Sequence, residues 1–479
     1  MSSEAGGRTR GRARRELPSW PFVLLFAAYP LWWILGLAGG LIWPLMSVPM
    51  LLALVLSGRI RMPRGFGIWL LFMLWMTASA IELDNSNRLI SFLFRAGMYV
   101  APTVLFLYVY NASPQVLPVR KVALALTALW VTVVVGGYLG LAFPNVSVRT
   151  PVEMVLPQSL LGNSFVHDLV HPGFAQVVKG SNGDLVRPKA PFTYTNAWGG
   201  SFAVLVPFVL MALATSRPGP QRNLIRLLLP IALVPALLSL NRGLFISLGI
   251  GLVYAALRLV VRGRVRALVG VIALLGATVA LVTALPVQQR LEDRISTSET
   301  NDTRLALYRE AVDRSLKSPV LGYGAPRPSD ESPGSPSVGT QGQIWSVLFS
   351  HGFPGLALFL GWHLWALWHT RGSETATRLW AHVAVLIATL QLVFYGTIPV
   401  QLGVMMIATA LCLRETGASA AARRRRVAQR PIATAPSSES SVVTRLSSFS
   451  SSQSSTRSTD SSTSSWSVWR TISGSTGGS

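Results

Sequence analysis

The chain reads as an all-α polytopic transmembrane helical bundle of about twelve spans, with a large outer loop containing amphipathic helices. Three observations carry that reading. Half of the 479 residues are hydrophobic and only 13% are charged, roughly half the charged share of an ordinary soluble domain. Apolar runs close to the roughly 20 residues that cross a bilayer recur from Trp20 to Leu413. Arginine and lysine gather beside alternate runs, which is the pattern that orients membrane helices.

Taken in order, the runs fall at about 20–38, 40–57, 66–82, 89–110, 122–143, 193–215, 226–241, 243–261, 266–285, 343–369, 379–396 and 398–414. The first pair and the last pair read as tight hairpins. The seventh and eighth are short and meet at Asn241-Arg242-Gly243. With residues 1–18 as a basic cytoplasmic N-terminus, the inner segments hold Arg59, Arg61 and Arg64, then Arg120 and Lys121. They continue with Arg217, Arg222 and Arg226, then Arg262, Arg264 and Arg266, then Arg371 and Arg378, and finally Arg423–Arg426. This assignment puts two long loops, about 144–192 and 286–342, on the outer face of the cytoplasmic (inner) membrane, with both termini in the cytoplasm. No cleaved signal peptide is expected, because the first apolar run continues into the second with no small-residue cleavage site. The transmembrane domain spans 19–415. Residues 416–479 form a cytoplasmic tail, basic and then Ser/Thr-rich ("SSFSSSQSSTRSTDSSTSS"), whose low apolar content predicts disorder and dispensability.

The net charge of +23 lies beside the apolar runs, and no nucleic-acid recognition motif accompanies it, so nucleic acid is not an expected partner. The one cysteine, Cys412, excludes an intramolecular disulfide.

Arg242 raises the first chemical question. A charge at the bilayer centre costs about 2.5–3.5 kcal/mol on insertion scales, so water, a protein group or an anionic ligand must offset it. The expected topology places Arg242 at the outer end of its span, within reach of any of these. The second outer loop contains "TNDTRLALYREAVDRSLKSPVLGYGAPRP". Asp302 or Thr303 is expected to cap a helix with Leu305, Tyr308, Val312 and Leu316 near one face, stopped by Ser318-Pro319. The helix is expected to lie on the outer membrane surface or to pack on the bundle. Arg304 would then sit in the first turn, where backbone N–H groups also suit a phosphate; a solvated helix charge fits the same spacing. Gly322-Tyr323-Gly324 permits a tight turn, and Tyr323 is a candidate substrate-binding residue.

The first outer loop ends in "VRPKAPFTYTNAWGG". Arg187, Lys189, Tyr194 and Asn196 suit sugar hydroxyls and a diphosphate; an interfacial aromatic belt fits the aromatic residues as well. The same loop holds "FVHDLVH", with His167 and His171 four residues apart around Asp168. The spacing suits zinc on a helix, but the sequence offers no third ligand, so no metal is expected; the pair reads first as loop histidines without chemistry, and either could instead serve as a general base. His351 reads as a packing or hydrogen-bonding residue. There is no Asp-x-Asp, no Gly-Lys-Ser/Thr and no GxSxG, which argues against a soluble nucleotide donor, and no cofactor is expected.

Taken together these residues resemble the O-antigen ligase and O-antigen polymerase superfamily, over about Asn196 to Gly355. Asn241-Arg242-Gly243 is similar to the family's Ser-Arg-Gly before a span, with Asn for Ser. Thr303-Arg304 followed by a helix and Pro319 through Gly324 resembles its Thr-Arg, helix and Pro-x-x-Gly-x-Gly. "SHGFPGLALFL" resembles its glycine-rich entry to the next span. The resemblance implies a bacterial membrane glycosyltransferase that moves a glycan from a polyprenyl-diphosphate carrier to a glycan or glycolipid acceptor in cell-surface polysaccharide synthesis. It also implies inversion at the anomeric carbon, no metal, and Arg242 and Arg304 on the donor diphosphate. The family's loop histidine, a general base in its ligases, has no counterpart: "SVGTQGQIW" offers Gln341 and Gln343 near that place, and Gln cannot take a proton at neutral pH. A lipid-linked glycan flippase is the alternative reading, and a non-catalytic scaffold a third.

The predicted topology has a direct test. In a Cys412→Ser background, single cysteines within 144–192 and 286–342 should react with an impermeant thiol reagent in intact cells, and one at Arg264 should not. The opposite pattern inverts the topology.

Overall fold

The computed structural model describes residues 16–180, 183–265, 300–330, 336–372 and 375–428, with a few positions between 269 and 283. The N-terminal basic segment, most of the ninth expected span, the start of the second long loop and the Ser/Thr-rich tail lie outside the described residues.

The described chain is mostly helical. Its helices are α1 (Trp20–Ala27), α2 (Tyr29–Leu35), α3 (Ile42–Leu56), α4 (Phe66–Ala78), α5 (Ser86–Asn111), α6 (Val119–Ala142), the short α7 (Pro151–Val155), α8 (Gln158–Leu161) and α9 (Ser164–Val170), then α10 (Thr195–Thr215), α11 (Pro220–Ile231), α12 (Leu233–Leu238), α13 (Arg242–Val260), α14 (Thr300–Lys317), α15 (Gln343–Thr370), α16 (Ala376–Gln391) and α17 (Val400–Ala428). Side-chain caps start several of them. Asn85 accepts from Arg88 N at 3.0 Å ahead of α5, and Thr375 accepts from Arg378 N at 3.3 Å ahead of α16, each satisfying a donor the helix leaves open.

Among the described residues, six helical segments are long and apolar enough to cross a membrane: 86–111, 119–142, 195–215, 220–238, 242–260 and 343–370. The expected count of about twelve is therefore not established. The expected first span is broken at Ala28 into α1 and α2, while α3 and α16 reach only 15 and 16 residues. An apolar run counts residues, whereas a helix ends where the backbone leaves helical geometry, as at the left-handed Gly36 (φ 86°) after α2. The first long loop also departs from all-α structure. It holds an antiparallel hairpin, β1 (Ala175–Gly180) with β2 (Gly183–Pro188), in which Ala175 pairs with Pro188.

Helix α10 packs against α6, α13 and α16, and α15 against α4, α14 and α16. Trp69, Phe72, Tyr99, Phe359 and Trp362 form an aromatic core between α4, α5 and α15. Trp198 is fully buried and its indole donates to Val133 O at 2.9 Å, joining α10 to α6.

The contacts sort the turns onto two ends of the bundle. At one end, Arg88 donates to Ala325 O at 2.9 Å, Arg187 to Ser239 O at 3.0 Å, and Ile344 N to Leu392 O at 3.1 Å. This loop end gathers 79–85, 239–242, 318–330, 336–342 and 392–397. At the other end, Asn111 bridges Arg61 N and Arg61 O at 2.8 and 2.9 Å, and the buried Arg414 donates to Ala112 O and Leu117 O.

Helix α14 differs from its expected form in two ways. It begins at Thr300, so neither Asp302 nor Thr303 caps it, and Arg304 is its fifth residue rather than part of its first turn. Its buried face is also rotated: Leu305 and Leu316 are exposed, whereas Leu307, Ala311 and Ser315 are buried. Glu310 and Arg314 share that inner side, because the carboxylate has partners there. Glu310 is 2% exposed and accepts from Ser329 Oγ, from Asp330 N at 3.0 Å and from Arg314 at 3.0 Å. The helix packs on α15.

Burial alone would raise the Glu310 carboxyl, but the Ser329, Asp330 and Arg314 donors outweigh it and hold the group below its ordinary value of 4.5. A depressed carboxyl contributes stability above the unfolded value and loses it as pH falls through the folded one. The 318–330 segment should therefore become more susceptible to limited proteolysis as the pH drops below about 4.5. Glu310→Gln should loosen it at neutral pH and abolish the acid-dependent step; an unchanged acid step in that variant would assign it to another group.

Candidate functional site

The Asn-Arg-Gly triplet is built around the asparagine. Leu240 turns the chain with a left-handed φ of 49°, and Asn241, 2% exposed, caps α13 by accepting from Leu244 N at 3.4 Å. Its amide donates to Thr195 O at 3.1 Å, and the Tyr395 hydroxyl donates to its Oδ1. One side chain thus joins α13, the start of α10 and the 392–397 turn. Gly243 makes room for this arrangement, since a Cβ there would meet the Tyr395 ring and hydroxyl. Arg242, between them, is exposed at the N-terminus of α13.

The other two motif pieces interlock through backbone. Gly352 leaves helical geometry inside α15 (φ 68°, ψ −174°), which frees carbonyls in the preceding turn. Tyr323 N then donates to Phe349 O at 3.0 Å, Gly324 N to Ser350 O at 2.8 Å, and Phe353 N to Pro319 O at 2.9 Å. The Pro319–Gly324 segment is thereby strapped across the break. The Tyr323 ring stacks on Phe349 at 4.8 Å, its hydroxyl donates to Arg314 O at 2.9 Å, and Arg88 donates to its carbonyl. Tyr323 is thus tied into the strap. His351 is also a packing residue, with Nδ1 2.7 Å from Ser79 Oγ.

The 392–397 turn links both arginine positions. Tyr395 holds Asn241, next to Arg242. Trp345 donates to Val393 O at 3.2 Å and stacks on Tyr308 at 4.6 Å. Tyr308 lies one helical turn after the half-buried Arg304; burial raises its phenol above the ordinary value and the Arg304 charge opposes the rise. Beneath the turn, Gln343 donates to Tyr99 OH at 2.6 Å and accepts from Thr397 N at 2.8 Å. Gln341 is half-buried in the loop just before.

That layer contains a residue the sequence reasoning passed over. Arg95 lies nine residues into α5, about 14 Å from its loop end at 1.5 Å per residue, and donates to Ser346 Oγ at 3.0 Å. The signal was available: Arg95 interrupts the apolar run "SFLFRAGMYV", and an arginine inside a span calls for a partner as Arg242 does. The Tyr395 turn was hidden because it falls in the boundary between two short spans.

The arginines near this end divide into two groups. Arg88 pairs with Asp84 at 2.7 Å, Arg314 with Glu310 at 3.0 Å and Asp330 at 3.1 Å, and Arg327 with Asp84 at 3.0 Å. Among the described residues no carboxylate forms an ion pair with Arg95, Arg242 or Arg304.

The first-loop residues approach the same end. Arg187, on β2, anchors on Ser239, three residues before Arg242. Lys189 lies beside Asp168; burial lowers its ammonium from the ordinary value and the Asp168 charge opposes that shift. Tyr194 hydrogen-bonds Asp168 and is half-exposed, and Asn196 is half-buried at the start of α10. His167 and His171 stack at 4.9 Å. His171 is engaged at both nitrogens, Nδ1 with Glu153 Oε2 and Nε2 with Ser147 Oγ, each at 2.9 Å. Glu153 thus stands where the sequence offered no third ligand.

The Asn241–Tyr395 contact can be measured. Asn241→Ala removes a cap worth about 1 kcal/mol and strands the Tyr395 hydroxyl, a loss of about 1–3 kcal/mol. Asn241→Ala and Tyr395→Phe should each lower the Tm of the purified protein, and the double variant should fall by clearly less than the sum. Additive losses would mean that the two side chains act separately.

Comparison with known proteins bears on the same region. Residues 227–360 match the family model described as O-antigen ligase, a stretch that contains Arg242, Arg304, the Pro319–Gly324 strap and Gly352. No curated protein matches the chain. The matched stretch and the motif pieces that interlock within it support one reading: this is a membrane protein whose residues 227–360 are similar to an O-antigen ligase domain.

Proposed function

We propose that this protein is a glycosyltransferase that moves a glycan from a polyprenyl-diphosphate carrier to a hydroxyl of an acceptor glycan or glycolipid, at the outer face of the cytoplasmic membrane. The observation that carries the proposal is the division of the arginines. Arg242 and Arg304 lie within the O-antigen ligase match, are tied to one turn, and have no carboxylate partner among the described residues. A diphosphate supplies the charge they lack.

The reaction follows from that pairing. The acceptor hydroxyl oxygen attacks the anomeric carbon, the bond from that carbon to the diphosphate oxygen breaks, the diphosphate leaves with an added negative charge, and the hydroxyl proton passes to water at the membrane surface. Guanidinium groups held in place before the charge develops stabilise the leaving group more than the intact donor, which lowers the barrier. Their planar forks suit phosphate oxygens pairwise. A single displacement inverts the anomeric centre, and in this reading the two arginines take the place of a metal on the diphosphate. Arg187, Lys189, Tyr194 and Asn196 form the glycan side, and Gln341 orients the acceptor. Arg95 adds positive potential beneath the turn. His171 is engaged at both nitrogens, so leaving-group stabilisation rather than a histidine base supplies most of the rate in this reading.

The test is transfer by purified protein from a lipid-linked oligosaccharide to an acceptor glycan, which a flippase would not perform. Arg242→Ala and Arg304→Ala should each lower the rate by about 10²-fold or more, non-additively because they serve one ligand. Arginine-to-lysine variants should recover little, because a point charge loses the fork. Arg95→Gln and Gln341→Ala should cost about tenfold or less, below the usual contribution of a general base. Wild-type transfer by Arg304→Ala would remove the diphosphate assignment.

A further inference from the structure

We propose that the first long loop contains a zinc-class metal site formed by Glu153, His167 and His171, independent of the transfer reaction. One ligand atom from each of the three side chains lies within 4.8 Å of the other two. Four-coordinate zinc with ligands near 2.0–2.2 Å requires ligand atoms about 3.3–3.5 Å apart. His171 Nδ1 and Glu153 Oε2 are 2.9 Å apart, a hydrogen-bond separation that must open by about 0.4 Å to admit the ion. Closure also requires the exposed His167 to move inward.

The scaffold favours a built site over a chance cluster. His167 lies on α9 and His171 directly follows its last residue, with His171 N bonded to His167 O at 2.8 Å, so one helical turn sets their spacing. The carboxylate comes from a different helix. Thr150 and Glu153 form a capping box at the start of α7, with Glu153 N donating to Thr150 Oγ1 at 3.3 Å and Thr150 N to Glu153 Oε2 at 3.4 Å. Thr150, fully buried, also donates to Val170 O at 2.6 Å, which ties the start of α7 to the end of α9. Ser147 Oγ lies 2.9 Å from His171 Nε2. A histidine bonded through one nitrogen and turned toward the other ligands with its second is the usual arrangement around a metal.

The donor set selects the ion. Two imidazoles and one carboxylate suit zinc and its neighbours, whereas calcium and magnesium take oxygen ligands. Three protein ligands leave a fourth position for water. The ion would clip α7 to α9 and hold Asp168, between the two histidines, against Tyr194. Its role is to order the loop, and it takes no part in breaking the diphosphate bond.

The test uses the full chain, purified without a polyhistidine tag, stripped with chelator and titrated with zinc chloride. We expect one zinc per chain by mass spectrometry, and with cobalt in its place the visible absorption of a four-coordinate site. His167→Ala, His171→Ala and Glu153→Gln should each weaken zinc binding at least about tenfold, while His369→Ala, on an unrelated helix, should not. Glu153→Gln is the fold-sparing variant, because glutamine also completes a capping box. Absence of zinc binding at micromolar concentration, or an unchanged affinity in Glu153→Gln and His171→Ala, would overturn the proposal.

Discussion

A guanidinium group cannot be withdrawn from water into an apolar bundle without something to replace the water, and much of the loop end is organised around that constraint. Three arginines there meet it within the protein. Arg88 and Arg327 share Asp84, and Arg314 is held by Glu310 and Asp330. These pairs do structural work, joining α5 to the 323–325 segment and α14 to the loop that follows. The remaining arginines cannot be explained in the same way. An ordinary structural arginine in a bundle is paired because leaving it unpaired costs several kcal/mol. Arg95, with its one hydroxyl contact, and Arg242 and Arg304, at the rim, suit a site that receives its negative charge from outside.

The framework that presents these arginines is largely backbone and amide chemistry. Asn241 satisfies a helix end, a carbonyl of α10 and a tyrosine hydroxyl at once, so Arg242 leaves a rigid position rather than a frayed one. Gln343 does the same between α5 and the 392–397 turn. Catalysis by preorganised charge depends on such supports, since a donor that must reorganise as the leaving group departs loses its advantage. The residues proposed for the glycan side arrive on a hairpin, a loop and the start of α10, and the hairpin and loop are elements better suited to varying what is bound than to fixing the proposed diphosphate position.

The class of the fold and the three motif pieces were legible in the sequence because hydropathy and glycine-arginine patterns are local. The interruptions were less so. The break at Ala28 and the short α3 and α16 lie within uninterrupted apolar runs. Helix α14 was legible as a helix, yet its buried face was misjudged. Hydrophobicity favoured Leu305 and Leu316, while the partners that bury Glu310 and Arg314 come from residues 329 and 330. Arg304 was expected in a first turn because Asp302 and Thr303 look like caps, but the helix starts earlier. Glu153 was invisible as a companion of His167 and His171, since only the tie between Thr150 and Val170 brings α7 against α9. Arg95 was legible by the argument already applied to Arg242.

The break at Gly352 has a consequence for how this region tolerates change. The bonds that fasten Pro319–Gly324 to α15 run from main chain to main chain, so the side chains of Val320 and Leu321 contribute nothing to them. Sequence drift at those two positions should be permitted while the shape of the helix opposite is retained, whereas Gly322, Gly324 and Gly352 leave no room for a side chain and Tyr323 stacks on Phe349. A segment transplanted from a relative would graft successfully only together with its matching stretch around 349–353, because the two halves meet through main-chain geometry that the glycines set.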